Sequence, residues 1–202
     1  YVTNETLAAF GLGPVPQQEM KHMVAEGYRK QVERSLRWCG DETLSHYEEA
    51  LPLYMEYFSR DCMRGVAPYE GISELLSFLK ERGIRMAVFS NKPHAQTVKN
   101  IETIFGRGYF DAVRGEQPGT PKKPAPDGAL LICRELGVSP KECLYLGDTN
   151  TDMRTGAAAG MDTVGVLWGF RDRGELEAFH PRYLAAHPSE VEAIFRAAES
   201  GT

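Results

Sequence analysis

The chain has 202 residues, 42% of them hydrophobic and 25% charged, with a net charge of −5. That length fits one sizeable domain, or a core with a smaller appendage, and the composition is ordinary for a globular chain. The acidic balance argues against nucleic acid as the main partner. No run approaches the roughly 18 apolar residues of a membrane span, and there is no signal-peptide pattern. Cys39, Cys62, Cys133 and Cys143 form no Cys-x-x-Cys pair, so reduced thiols in a cytoplasmic protein are expected.

Residues 1–65 read as helices only. Residues 4–10 form a short helix stopped by Gly11, and residues 11–16 a turn-rich break. Residues 17–38 carry apolar side chains at helical spacing, with an interruption at Gly27. Asp41 can cap the next helix, where Leu44, Tyr47, Leu51, Tyr54, Met55, Phe58 and Cys62 make one apolar stripe bent at Pro52. After Gly65 strands alternate with helices. Strands are predicted at 84–89, 110–113, 143–146, 163–167 and 183–185, and helices at 72–81, 95–105, 127–136, from about 150, at 174–179 and at 189–199. Such alternation predicts an α/β fold, a Rossmann-like parallel sheet with helices on both faces. The division expected is a helical cap over 1–65 and a core over 66–202.

The most informative stretch is Leu144-Tyr145-Leu146-Gly147-Asp148-Thr149-Asn150-Thr151-Asp152. A buried strand ends in Gly-Asp, and a second Asp follows one helical turn on. Ligands of open α/β sheets collect beyond the carboxyl ends of the strands, and two carboxylates there suit Mg²⁺, which fills its other positions with water and phosphate oxygens. A calcium loop is excluded, because it needs Gly next and Glu at its twelfth position, where Met153 and Ala159 stand. Plain helix capping by Asp148 and Asp152 competes, and this stretch alone does not decide between them.

Two further strand ends or loops carry polar groups. Strand 84–89 runs into Ser90-Asn91-Lys92-Pro93, where a helix N-terminus and a hydroxyl favour an anion; an ordinary Ser/Asn cap is the plain alternative. The loop Pro118-Gly119-Thr120-Pro121-Lys122-Lys123-Pro124-Ala125-Pro126 is stiffened by four prolines. Lys123, ahead of a proline, is biased to an extended backbone that can aim its amine at a fixed point, against the plain reading of a solvated lysine pair.

Hydroxyl, lysine and paired carboxylates in that order resemble the haloacid dehalogenase-like phosphohydrolases. Phe89-Ser90-Asn91-Lys92 looks like the family's second motif, Lys123-Pro124-Ala125-Pro126 like the third, and Gly147-Asp148-Thr149-Asn150-Thr151-Asp152 like the fourth. With Trp168-Gly169-Phe170, the likeness is closest to the phosphoglycolate phosphatase branch. The resemblance implies Mg²⁺ held by Asp148 and Asp152, a phosphate held by Ser90, Asn91 and Lys123, and a small phosphorylated metabolite as partner, with no nucleic acid or membrane and a monomer or homodimer as the assembly. It also implies a helical cap that selects the substrate; within residues 26–30, Arg29 or Lys30 could meet a substrate carboxylate, with a solvated basic helix face as the plain alternative. Relatives often have Gly where Ala25 stands.

The family's first motif, a strand followed by Asp-x-Asp-Gly-Thr that supplies the nucleophile and the acid–base Asp, has no counterpart here: no Asp-x-Asp pair occurs in the chain. That strand is the family's central one, lying between those corresponding to 84–89 and 143–147. The expectation is that the motif lies upstream of Tyr1, and that the 202 residues lack the nucleophile and are inactive alone. The full protein is then a Mg²⁺-dependent phosphatase acting through an aspartyl-phosphate. A sugar-phosphate mutase and an inactive Mg²⁺/phosphate-binding module are the alternatives.

Overall fold

The computed structural model describes residues 1–200. Four helices open the chain: α1 (Val2–Ala9), α2 (Gln17–Met23), α3 (Tyr28–Trp38) and α4 (Tyr47–Asp61). Leu7, Val15, Met23, Val32, Leu36, Ala50 and Tyr54 bury together into a core of their own. The break within 17–38 falls at 24–27, where Ala25 and Gly27 take φ of +88° and +89°, values no helix can contain. Ahead of α4 the Asp41 carboxylate accepts the Ser45 and His46 N–H groups and so holds the turn before the helix; it is not the cap, a position taken by His46 without a side-chain bond. The fourth helix runs through Pro52.

The rest of the chain alternates α5 (Ile72–Glu81), β1 (Ala87–Pro93), α6 (His94–Phe105), β2 (Ala112–Glu116), α7 (Asp127–Leu136), β3 (Leu144–Gly147), α8 (Asn150–Ala159), β4 (Asp162–Val166), α9 (Arg173–Glu177), β5 (Tyr183–Ala185) and α10 (Pro188–Ser200). The first strand starts three residues later than its apolar run suggests. Gly83 N–H bonds Lys80 O and Ile84 N–H bonds Leu79 O, so Ile84 still belongs to the C-terminal cap of α5. The strand then carries on through the polar residues Ser90–Pro93, paired as far as Glu116.

All pairings are parallel: β1 with β2, β3 with β4, and β4 with β5. Helices cover both faces. Leu75, Phe78 and Leu79 of α5 and Val191 of α10 pack with Val164, Val166 and Ala185, each full burial contributing about 1.5–3 kcal/mol. On the other face Gly156 of α8 lets the helix approach Thr163 and Tyr145. The ladders form two sheets, not one continuous sheet, because β1 and β3 share no ladder hydrogen bonds. Between them lies a cavity of about 410 Å³ whose wall includes Ala87 and Phe89 of β1, Leu144 and Leu146 of β3, and Leu75 and Ile132 of the covering helices. Among the described residues no helix is long and apolar enough to cross a membrane.

Candidate functional site

The carboxyl ends of β1 and β3 open on the same side as the 118–126 loop, and the polar groups gather there. Beyond β1, Ser90 Oγ accepts the Lys92 N–H at 3.1 Å. Asn91 is buried to 5% exposure and its carboxamide is engaged on both sides. Its Oδ1 accepts the Lys123 N–H at 2.8 Å, and its Nδ2 donates to Lys123 O and to Ala25 O, both at 2.9 Å. The side chain therefore fastens the lysine loop to β1 and to the helical layer. Lys92 Nζ donates to Asn100 Oδ1 at 2.7 Å, and burial pushes its ammonium below the ordinary lysine range.

Lys123 Nζ donates to Phe89 O at 3.2 Å and to Asp152 Oδ1 at 2.7 Å, so one lysine bridges the end of β1 and the first turn of α8. Burial is the strongest influence and works against its charge, but Asp152, with Tyr145 and Asp148, tips the balance and raises the ammonium above its usual value. At the other side β3 ends at Gly147, and Thr149 caps α8 by accepting the Asp152 N–H. Thr149 Oγ1 also donates to Asp152 Oδ2 at 2.6 Å. Asp148 Oδ2 accepts the Phe170 N–H at 2.8 Å. Burial raises the Asp148 carboxyl above its ordinary value, against the bond from Phe170. Two glycines make room for these acids: a Cβ on Gly147 would collide with Asp152, and one on Gly169 with Asp148.

Ser90, Asn91, Lys92, Lys123, Asp148, Thr149 and Asp152 all border one cavity of about 390 Å³. Its opposite wall is the helical layer, with Val24, Tyr28, Gln31, Tyr54 and Phe58. Tyr28, Tyr54 and Phe58 form a stacked column with centroids 6.2 and 5.7 Å apart. Volume and lining are those of a small-molecule site.

The donor set suits Mg²⁺ in a particular way. Asp152 has one oxygen on Lys123 and the other on Thr149, whereas Asp148 accepts from Phe170 at Oδ2. Asp148 could therefore meet a cation directly, whereas both oxygens of Asp152 are engaged by protein donors. Among the described residues no group of three or more His, Cys, Asp or Glu side chains is placed to hold a metal ion.

Of the residues singled out by sequence, Ser90, Asn91, Lys123, Asp148 and Asp152 come together. Arg29 does not: it is exposed, its guanidinium lies 5.2 Å from the Tyr28 ring centroid, and it is absent from the cavity wall. The aromatic column escapes sequence reading because Tyr54 and Phe58 sit on the apolar stripe of α4, where core and cavity positions share one spacing. Gly169 had a usable signal, a glycine three residues past the end of a buried strand, but its neighbour across the fold is invisible in one dimension.

A family described as haloacid dehalogenase-like hydrolases matches residues 1–166. N-acetylmuramic acid 6-phosphate phosphatase of Pseudomonas aeruginosa is 32% identical over 92% of this chain and 78% of its own length. Phosphoglycolate phosphatase of Pectobacterium atrosepticum is 27% identical over 88% of this chain and 76% of its own. In three dimensions the chain is similar to a provisionally named phosphoglycolate phosphatase from Lactobacillus delbrueckii subsp. bulgaricus, with a TM-score of 0.89 and 26% identity. That match covers 95% of this chain and 88% of the other.

Proposed function

The chain belongs to the haloacid dehalogenase-like hydrolases, and we propose that it is the clamp, cation site and cap of a phosphatase acting on a small phosphomonoester. The observation that carries this reading is the single cavity shared by Ser90, Lys123, Asp148 and Asp152. An ammonium and a hydroxyl there complement phosphoryl oxygens, and both act in a partly dry site where charge interactions are strong. Mg²⁺ held by Asp148 would offset repulsion between the phosphate and the carboxylates.

The reaction needs an attacking carboxylate. Two parallel strands that do not pair, with an apolar cavity between them, support an extended strand lying between β1 and β3, parallel to both and carrying that carboxylate at its end. In this reading its oxygen attacks phosphorus, the bond to the leaving alcohol breaks, and a neighbouring acid protonates the alcohol. Water then cleaves the acyl phosphate and releases inorganic phosphate. Residues 1–65 act as the cap that excludes bulk water and contacts the leaving group. Four unlinked thiols accord with a reducing, cytoplasmic setting.

The relatives divide between phosphoglycolate and an amino-sugar phosphate. The aromatic column on the cap wall and the position of Arg29 outside it favour a second reading, in which the leaving group presents a sugar-ring face, not a lone carboxylate. Phosphate release by the product of the full reading frame, with and without Mg²⁺, from 2-phosphoglycolate and from hexose 6-phosphates tests both. Turnover unchanged in Asp148→Asn removes the cation assignment. Turnover that requires added sugar bisphosphate identifies a mutase, and phosphate binding without turnover an inactive module.

A further inference from the structure

The stretch from the last turn of α2 to the start of α3 is gripped from the core at two points, and each grip belongs to a residue that also holds one half of the site. Asn91 donates to Ala25 O while its other bonds fix both main-chain groups of Lys123. Arg171 donates from its guanidinium to Lys21 O at 2.6 Å, while its own N–H bonds Asp148 O at 3.2 Å and the preceding N–H, of Phe170, holds Asp148 Oδ2. The Arg171 side chain is only 9% exposed and has Glu175 Oε1 at 3.6 Å. Ala25, held by Asn91, has a φ of +88°, a conformation a non-glycine residue keeps only where its surroundings impose it.

We propose that Asn91 and Arg171 are positioning residues that make the alignment of Lys123 and of Asp148 conditional on docking of residues 21–27 of the helical layer. Neither side chain has to touch substrate. When 21–27 lifts, Asn91 loses one acceptor and Arg171 its carbonyl partner, and the two loops that carry the lysine and the aspartate lose their shared anchor. The cation site and the phosphate clamp then form together with closure, which keeps both weak while the cavity is open. The role in catalysis rests on the phosphatase reading; the coupling itself does not.

The two are separable by experiment on the full chain. Gly27→Val strains 21–27, since its φ of +89° disfavours a side chain, but an added Cβ would also press on Glu116 and Lys122 of the core. Arg171→Ala, which releases 21–27 at the other grip, is therefore the deciding variant for the readout at Lys123. Amide hydrogen exchange is then followed at residues 21–27, at Lys123 and at Phe170 and Arg171. The expected result is exchange at least tenfold faster in all three places, with the same pattern in Arg171→Ala and protection largely restored in Arg171→Lys. Faster exchange in 21–27 with Lys123, Phe170 and Arg171 unchanged overturns the coupling. For phosphomonoester turnover, Arg171→Ala is expected to lower kcat at least tenfold with KM little changed. Coupled exchange without turnover in the parent protein refutes the phosphatase reading and leaves the coupling standing.

Discussion

Lys123 Nζ sits 2.7 Å from Asp152 Oδ1, with side chains 12% and 9% exposed, and it is the link between the end of β1 and the start of α8. Removing one member of such a pair leaves a buried charge without a partner. Lys123→Met is expected to destabilise the chain by about 3–5 kcal/mol, and Lys123→Met with Asp152→Leu to recover most of that loss. Urea unfolding of both single variants and the double measures it, and single losses that simply add up to that of the double would mean that the pair carries no coupling.

Gly169 permits the approach of Asp148 to the loop beyond β4. Gly169→Ala forces the Asp148 side chain aside, and displacing a reacting or cation-binding group by about 1 Å costs on the order of 100-fold in rate. The expected outcome is a loss of turnover of that size with a far-ultraviolet circular dichroism spectrum close to the parent's. Wild-type turnover in this variant would show that Asp148 needs no exact seat.

Tyr54 is 4% exposed, and burial pushes its hydroxyl up to about 12 from 10. The folded state therefore keeps the proton more tightly than the unfolded chain. Stability from Tyr54 is fully present below pH 10 and is lost as pH rises from 10 towards 12. At about 1.4 kcal/mol per pH unit, the loss is on the order of 2–3 kcal/mol. Tyr54→Phe is expected to flatten the alkaline limb of the pH–stability curve, read by denaturant titrations between pH 9 and about 12.

Cys133 and Cys143 have sulfurs 3.8 Å apart, and burial raises the Cys143 thiol to about 11. Since the thiolate is the reactive form, Cys143 is expected to alkylate with iodoacetamide at pH 8 at least tenfold more slowly than a model thiol. Mass spectrometry of the modified peptides gives the rate, and rapid labelling of Cys143 would contradict its burial.

Much of the architecture was legible because local chemistry agreed with the fold. Glycines at 83, 137 and 160 end three helices in left-handed caps, and the apolar runs 143–146 and 163–167 each become a strand within a residue or so. The first strand differs from its apolar run at both ends: Ile84 serves a helix cap, and pairing with Glu116 of β2 draws Pro93 into the ladder past an irregularity after Phe89, although proline does not favour a strand. Asn91 could be identified as a residue of the site, but not as one that spends its carboxamide on Lys123 and Ala25, residues 32 and 66 positions away.

Residue type and spacing by themselves determined that this chain builds a helical layer followed by alternating strands and helices, with a hydroxyl, a lysine and two carboxylates at strand ends. Those properties act over one or two helical turns, within reach of a linear pattern. Only the tertiary structure decided that Lys123 pairs with Asp152 while Asp148 turns to Phe170, that Arg29 stays outside and three aromatic rings form the cavity wall, and that β1 and β3 remain unpaired across an apolar cavity. Each of these depends on distances between groups far apart in the chain, which packing sets and local propensity does not.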